Sequence, residues 1–293
     1  MDTRRLRSSL GMLVFVLLFA ISILPVFHLI AVVFINGSSV IASNFPGFFY
    51  EERPLPGSEE VGGVGPYILG TLILVSIATV IATPIAIFAA VYTTQSLRSK
   101  LGFATSTLTR AMIEFPTIIV GLSVYGFLKI LDEVLGMFGL QNPIPRFSAL
   151  SGAIALAIVM IPFIYTQIED GLRSVPTSLR EAIYSLGSSR IKASMIMMRY
   201  IKATVITALA IGVGKALGET APLFFTAFGS DLYPPIDGGM LFRPIGSLTL
   251  GIYNMALSGY DNWVKASWGA ALILLSMSVA LFIVSRILSH RRW

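Results

Sequence analysis

The chain has no cysteine and only two histidines, and charged residues make up just 12% of its 293 positions. Lack of cysteine excludes a disulfide framework, a thiolate metal site and a cysteine nucleophile. Two histidines cannot build a histidine metal cluster; His28 falls near a helix end and His290 in a basic tail, and both read as structural. No G-x-x-x-x-G-K-[ST] phosphate loop occurs, and no dinucleotide fingerprint follows a strand, so any ATP chemistry has to come from another chain. No paired carboxylate, Ser/His pair or metal constellation supports a membrane-embedded enzyme, and the list of catalytic candidates is empty.

Apolar residues are what the chain has in excess, at 55% with a mean hydropathy of +0.81. That balance implies an all-α polytopic membrane protein. Six stretches meet the length of about 20 apolar residues that a span needs: residues 10–35, 65–92, 108–131, 148–168, 203–228 and 266–287. The first run is longer than the core of a signal peptide and no A-x-A site follows it, so it reads as an anchor. No soluble module is large enough to fold alone, which leaves one transmembrane domain over residues 1–293.

Lysine and arginine orient the spans, because cytoplasmic flanks are enriched in them. Arg4, Arg5 and Arg7, then Arg98, Lys100 and Arg110, then Arg173, Arg180, Arg190, Lys192, Arg199 and Lys202, then Arg286, Arg291 and Arg292 all fall on one side. Both termini are therefore predicted cytoplasmic. The same asymmetry accounts for the net charge of +6, so lipid is the implied neighbour and nucleic acid is not needed as a partner. Residues 36–64, rich in Gly, Pro, Ser and Glu, form the first extracytoplasmic loop and read as solvated, with contact to an outside partner as the alternative.

The cytoplasmic loop 170–202 predicts a short amphipathic helix over residues 179–186. Ser178 and Glu181 have capping-box spacing, Leu179, Ala182, Ile183 and Leu186 share one face, and Gly187 can supply a left-handed stop. Such a face needs either a protein cleft or a lipid surface.

The fifth span holds two charges, Lys215 and Glu219, four residues apart and so on one helical face. Each alone would cost about 2.5 kcal/mol or more at mid-bilayer. They either pair internally or line a wet path. Gly214 and Gly218 form a small-xxx-small pair that admits a close neighbour, and Ala221-Pro222 weakens the helix beyond them. In the third span, Glu114 reads as a helix-end residue, with a functional role as the alternative, and Pro116 and Gly121 would let the helix bend.

These residues carry a family resemblance. Glu181-Ala-Ile-x3-Gly187 resembles the E-A-A-x3-G signature of ABC importer permeases, and Gly218-Glu-Thr-Ala-Pro-Leu223 is similar to the G-E-T-A-P-L segment of the Pst phosphate importers' "A" permease. Pro116-Thr-Ile-Ile-Val-Gly-Leu122 and Val175-Pro-x-Ser-Leu-Arg-Glu-Ala182 are similar to that family's P-S-I-V-I-G-L and V-P-x-S-L-R-E-A. Two departures stand out: Met197-Met-Arg-Tyr200 replaces the usual I-x-L-P, and Lys215 stands where the family more often has Arg. A lysine is a point charge where arginine is a planar fork.

The resemblance implies a type I ABC importer permease fold and a non-catalytic transport subunit with no cofactor of its own. Its partners would be a homologous second permease, two ATPase subunits carrying ATP and Mg, and an extracytoplasmic phosphate-binding protein. Ser178, Leu179, Arg180, Glu181, Ala182, Leu186 and Gly187 would couple to the ATPase, while Lys215, Gly218, Glu219 and Thr220 would line the path. Readings that stay open are a permease for another oxyanion and a membrane scaffold for phosphate-responsive signalling.

Overall fold

The computed structural model describes residues 3–96, 99–235 and 237–290, with side chains from Gly11 onward. Of the cations that orient the spans, the side chains of Arg4, Arg5 and Arg7, and residues Arg98, Arg291 and Arg292, lie outside the described residues. The helices are α1 (Thr3–Ser43), α2 (Gly65–Gln95), α3 (Lys100–Ala111), α4 (Thr117–Met137), α5 (Ala149–Arg173), α6 (Thr177–Ser185), α7 (Arg190–Tyr200), α8 (Lys202–Leu217), α9 (Ala221–Phe224), α10 (Leu248–Ala256) and α11 (Asp261–His290). Among the described residues, extended pairing is confined to an isolated bridge between Phe228 and Ile245.

Four of the expected spans, in α1, α2, α5 and α11, are continuous helices long and apolar enough to cross a bilayer. The other two are broken. The third is interrupted after α3 by a 3-10 turn at Met112–Glu114 and an extended Phe115 (ψ 132°). Pro116 explains this, since it lacks a donor and pushes the residue before it out of the helical region. Glu114 closes that turn exposed, as a helix-end residue. The bend lies there and not at Gly121.

The fifth span ends as α8 at Leu217 and resumes as the single turn α9. The break therefore precedes Pro222. That proline sits in the first turn of α9, where a missing N–H costs nothing.

The centre of the bundle is α5, packed on α2 and α8. Along α2 a stripe at i, i+4 spacing, Leu74, Ala78, Ala82, Ala86 and Ala90, is 0–1% exposed. Its small side chains let α5 approach closely with Ala153, Leu156, Met160 and Ile164. At Gly212 of α8 a Cβ would stand 2.5 Å from Ile164 Cγ1, so only glycine admits this crossing. By contrast α1 exposes Phe15, Phe19, Leu24 and Phe27 around its circumference and packs on α11 near Gly37, whose added Cβ would meet Leu272 Cβ at 2.6 Å. A helix apolar on every side is covered by hydrocarbon or by another apolar chain.

Of the expected first loop, residues 36–43 continue α1, and beyond them Glu51, Glu52, Leu55, Pro56 and Glu59 are exposed while other positions are anchored to the bundle. Phe48 is fully buried, its ring tip filling the space where a Cβ of Gly269 would lie. Asn262 of α11 donates to the Leu55 and Glu60 carbonyls at 3.1 and 3.2 Å, and Trp263 Nε1 donates to Pro54 O at 3.0 Å. The Arg53 guanidinium lies 3.8 Å from the Trp263 ring centroid and pairs with Asp231, which also accepts a hydrogen bond from Tyr67. This loop is a packed cap tying α2 and α11 to the segment that follows α9.

Candidate functional site

The two charges of the fifth span meet. Lys215 Nζ lies 2.6 Å from Glu219 Oε1, with the Glu219 side chain 6% exposed and that of Lys215 37% exposed. Lys215 occupies the last turn of α8, where the helix dipole favours a cation. Glu219 lies beyond the helix end, so the pair closes across the break and not along a continuous face. The ammonium stands 5.7 Å from the Phe163 ring centroid and opens toward a cavity of about 280 Å³ between α4 and α5, otherwise largely apolar and including Met112, Phe115, Ser123 and Val159. A cation at the wall of such a cavity, half neutralised by a buried carboxylate behind it, can attract an anion.

The remaining predicted path residues separate. Gly218 is exposed, and an added Cβ there would meet nothing closer than 3.9 Å. Gly214 makes the close approach instead, with the Phe282 ring 3.0 Å from the position of a Cβ. The small-residue pair thus packs at one end only. Thr220 is half-buried at the start of α9 and its side chain makes no capping hydrogen bond. Thr249, from the start of α10, escaped sequence reasoning: its hydroxyl donates to the Glu219 carbonyl at 2.8 Å. No local signal links residues 30 positions apart.

At the opposite, arginine-rich end lies α6. It begins one residue earlier than Ser178, with Pro176 as its N-cap residue in extended backbone and no side-chain cap. The expected capping box is therefore not formed; the φ fixed by Pro176 sets the entry instead. Gly187 ends the turn at φ +71°, as its sequence position predicts. The apolar face divides. Ile183 is buried and Leu179 half-buried against the chain itself, whereas Glu181, Ala182 and Leu186 are exposed, Leu186 at 83%. Arg180 donates to Leu172 O at 2.9 Å, and Tyr184 donates to Gln95 Oε1 at 3.3 Å. Gln95 in turn donates to Ser194 Oγ and to Arg190 O. This short helix is thereby hydrogen-bonded to α5, α2 and, through Gln95, α7, so a push on it is delivered to the bundle.

Beside it sits a second charge cluster that sequence reasoning missed. Glu169 of α5 has a fully buried side chain, accepting from Arg110 of α3 at 2.7 Å, Arg173 at 2.9 Å and Ser106 at 3.2 Å. Three donors satisfy a carboxylate that burial alone would disfavour. Only Arg173, four residues along α5, was a sequence-level hint.

The broken helices, the Lys215–Glu219 pair at the second break and the short exposed helix between α5 and α8 belong to a polytopic helical membrane protein with the fold of ABC importer transmembrane subunits. Solved structures agree on the fold. A bacterial alginate ABC transporter with its alginate-bound periplasmic protein matches at TM-score 0.67 and 16% identity over 98% of this chain and 96% of that one. The MetNI methionine ABC transporter in an inward-facing form matches at TM-score 0.58 and 15% identity over 77% and 94%. No family model matches the chain. Among curated proteins, the probable phosphate transport system permease PstA of Methanocaldococcus jannaschii is 35% identical over 91% of this chain and 88% of its own length. PstA of Pasteurella multocida is 31% identical over 82% and 80%. The chain belongs to the PstA family of phosphate transport system permease proteins.

Proposed function

We propose that this chain is the permease subunit of an ATP-driven importer that carries inorganic phosphate across the cytoplasmic membrane, both termini facing the cytoplasm. The observation that carries the mechanism is the Lys215–Glu219 pair at the broken helix, 2.6 Å apart beside a cavity. The cation draws the anion in. Phosphate near neutral pH keeps a proton, and an ionised Glu219 accepts it as a hydrogen bond; sulfate has none to offer and meets only repulsion. Gly218 leaves its backbone open to that path and Thr220 adds a hydroxyl. A homologous second permease completes the path, an extracytoplasmic phosphate-binding protein delivers the ion, and two ATPase subunits supply ATP and Mg; this chain makes and breaks no bonds.

Co-expression with the second permease and the ATPase, reconstitution with the binding protein, and labelled phosphate uptake against excess sulfate test the reading. ATP-dependent uptake that sulfate fails to block is expected. Glu219→Gln is expected to abolish phosphate uptake or to relax the rejection of sulfate, and Lys215→Arg to be tolerated. An assembled, ATP-hydrolysing complex that moves no phosphate overturns the substrate, and a Glu219→Gln variant with unchanged uptake and selectivity overturns the role of the pair.

Coupling to the ATPase is assigned to α6, on the exposed Ser178, Glu181, Ala182 and Leu186, with Leu179 and Arg180 seating the helix on the bundle and Gly187 ending it. Ala182→Asp changes only an exposed position. It should leave the folded permease intact while the ATPase no longer co-purifies; unimpaired co-purification would remove α6 from that interface.

A further inference from the structure

The backbone of Glu219 is held by an arrangement that the ion pair alone does not explain. At the end of α8 its carbonyl has lost its helical donor: the N–H of Leu223, four residues on, goes to Thr220 O at 3.1 Å. Thr249 Oγ1 replaces it at 2.8 Å, from a side chain on a residue only 7% exposed. A hydroxyl has one proton. Since that proton goes to the carbonyl, the 3.1 Å contact between Ser247 Oγ and Thr249 Oγ1 has Ser247 as donor. Ser247 Oγ also accepts from Leu250 N at 3.2 Å as the N-cap of α10. The order is thus Leu250 N–H to Ser247, Ser247 to Thr249, and Thr249 to Glu219, each link polarising the next.

This donor stands on a frame separate from the broken helix. The Leu248 N–H goes to Thr71 Oγ1 of α2 at 2.8 Å, and Thr71 donates to the Tyr67 carbonyl at 2.8 Å. Thr71, Ser247, Leu248 and Leu250 are all buried. At Gly70 a Cβ would fall 2.0 Å from Gly246 O, so α2 and the approach to α10 are in backbone contact with no slack. A carbonyl pinned to a frame without slack gives its own side chain a fixed origin.

We infer that Thr249 is a positioning residue for anion passage: by holding the Glu219 carbonyl, its hydroxyl sets where the Glu219 carboxylate stands relative to Lys215 and the transported anion. The inference rests on the reading of Glu219 as facing that anion. Thr249→Val keeps the shape and deletes the hydroxyl; Thr249→Ser keeps the hydroxyl and deletes the methyl group. The two separate hydrogen bonding from packing.

In the reconstituted importer with its binding protein, Thr249→Val is expected to lower phosphate uptake by about tenfold, as loss of one buried hydrogen bond at a site implies, while ATP hydrolysis stays near the unsubstituted level. Phosphate moved per ATP therefore drops. Thr249→Ser is expected to restore that ratio. Normal uptake in Thr249→Val overturns the inference. So does a Thr249→Val complex that fails to assemble or loses ATP hydrolysis in step with uptake, and so does a Thr249→Ser variant no better coupled than Thr249→Val. Glu219→Gln, measured alongside, keeps the two layers apart: unchanged uptake together with unchanged rejection of sulfate there removes the underlying reading, whereas a loss of either there with normal Thr249→Val removes only the positioning role.

Discussion

Replacing Arg110 and Arg173 together by alanine is expected to destabilise the protein by ~3–5 kcal/mol, the usual result of leaving a buried charge without its partners. Glu169 is completely inaccessible and keeps no cationic partner in that variant. The reverse change is milder. Both arginine side chains are 42% exposed, so in Glu169→Gln the cations keep access to water, and the amide retains one acceptor; a loss of about 1 kcal/mol is expected. Each single arginine variant should fall between, since the carboxylate keeps the other fork. Unfolding of the purified permease in detergent, followed by circular dichroism against temperature, measures all four. Equal losses in Glu169→Gln and the double variant would mean that the cluster acts through packing and not through charge. The cluster lies where α3 meets α5, one helical turn before the Leu172 carbonyl that holds Arg180 of α6. If α6 docks the ATPase as proposed, a double variant that survives in the membrane is expected to show less phosphate moved per ATP in the reconstituted importer.

Hydropathy revealed α1, α2, α5 and α11 because a continuous span needs only local apolar residues, and those are written side by side. The broken spans were harder for a physical reason. Pro116 carries its break in its own ring, and Pro222 denies the Gly218 carbonyl a donor, but the capture of the Glu219 carbonyl by Thr249, from a helix that begins at Leu248, has no local signal. Gly187 was legible since a positive φ selects glycine, whereas the capping box of Ser178 and Glu181 failed because Pro176 fixes the helix entry first. The spacing of Lys215 and Glu219 left open an internal pair or a wet path; the two side chains pair, and they do so across the loss of the helix between them. Glu169 was passed over in the sequence, because nothing near it announces Arg110, 59 residues earlier. Residues 36–64 looked solvated on composition; residues 36–43 belong to α1, and the bonds that anchor residues 54–60 come from Asn262 and Trp263, about two hundred residues away.

Gly121 gives the second large effect, and its role differs from the flexibility its sequence context suggests. A Cβ at that position would lie 2.5 Å from both Cα and O of Pro222, backbone atoms that cannot rotate aside. Here α4 rests on α9, the turn immediately after Glu219 and Thr220. Gly121→Ala has to push the two apart, at ~1–3 kcal/mol for overpacking. The displacement falls on the segment that carries Glu219, so phosphate uptake in the reconstituted importer is expected to drop to background even where the complex assembles. Gly126 on the same helix has nothing within 4 Å of its would-be Cβ. Gly126→Ala should gain helix stability, by ~1 kcal/mol at most. The pair separates close approach from intrinsic helix preference, because the same substitution on one helix is expected to change sign. Full activity and raised stability in Gly121→Ala would require α4 to stand further from the broken helix than Pro222 allows.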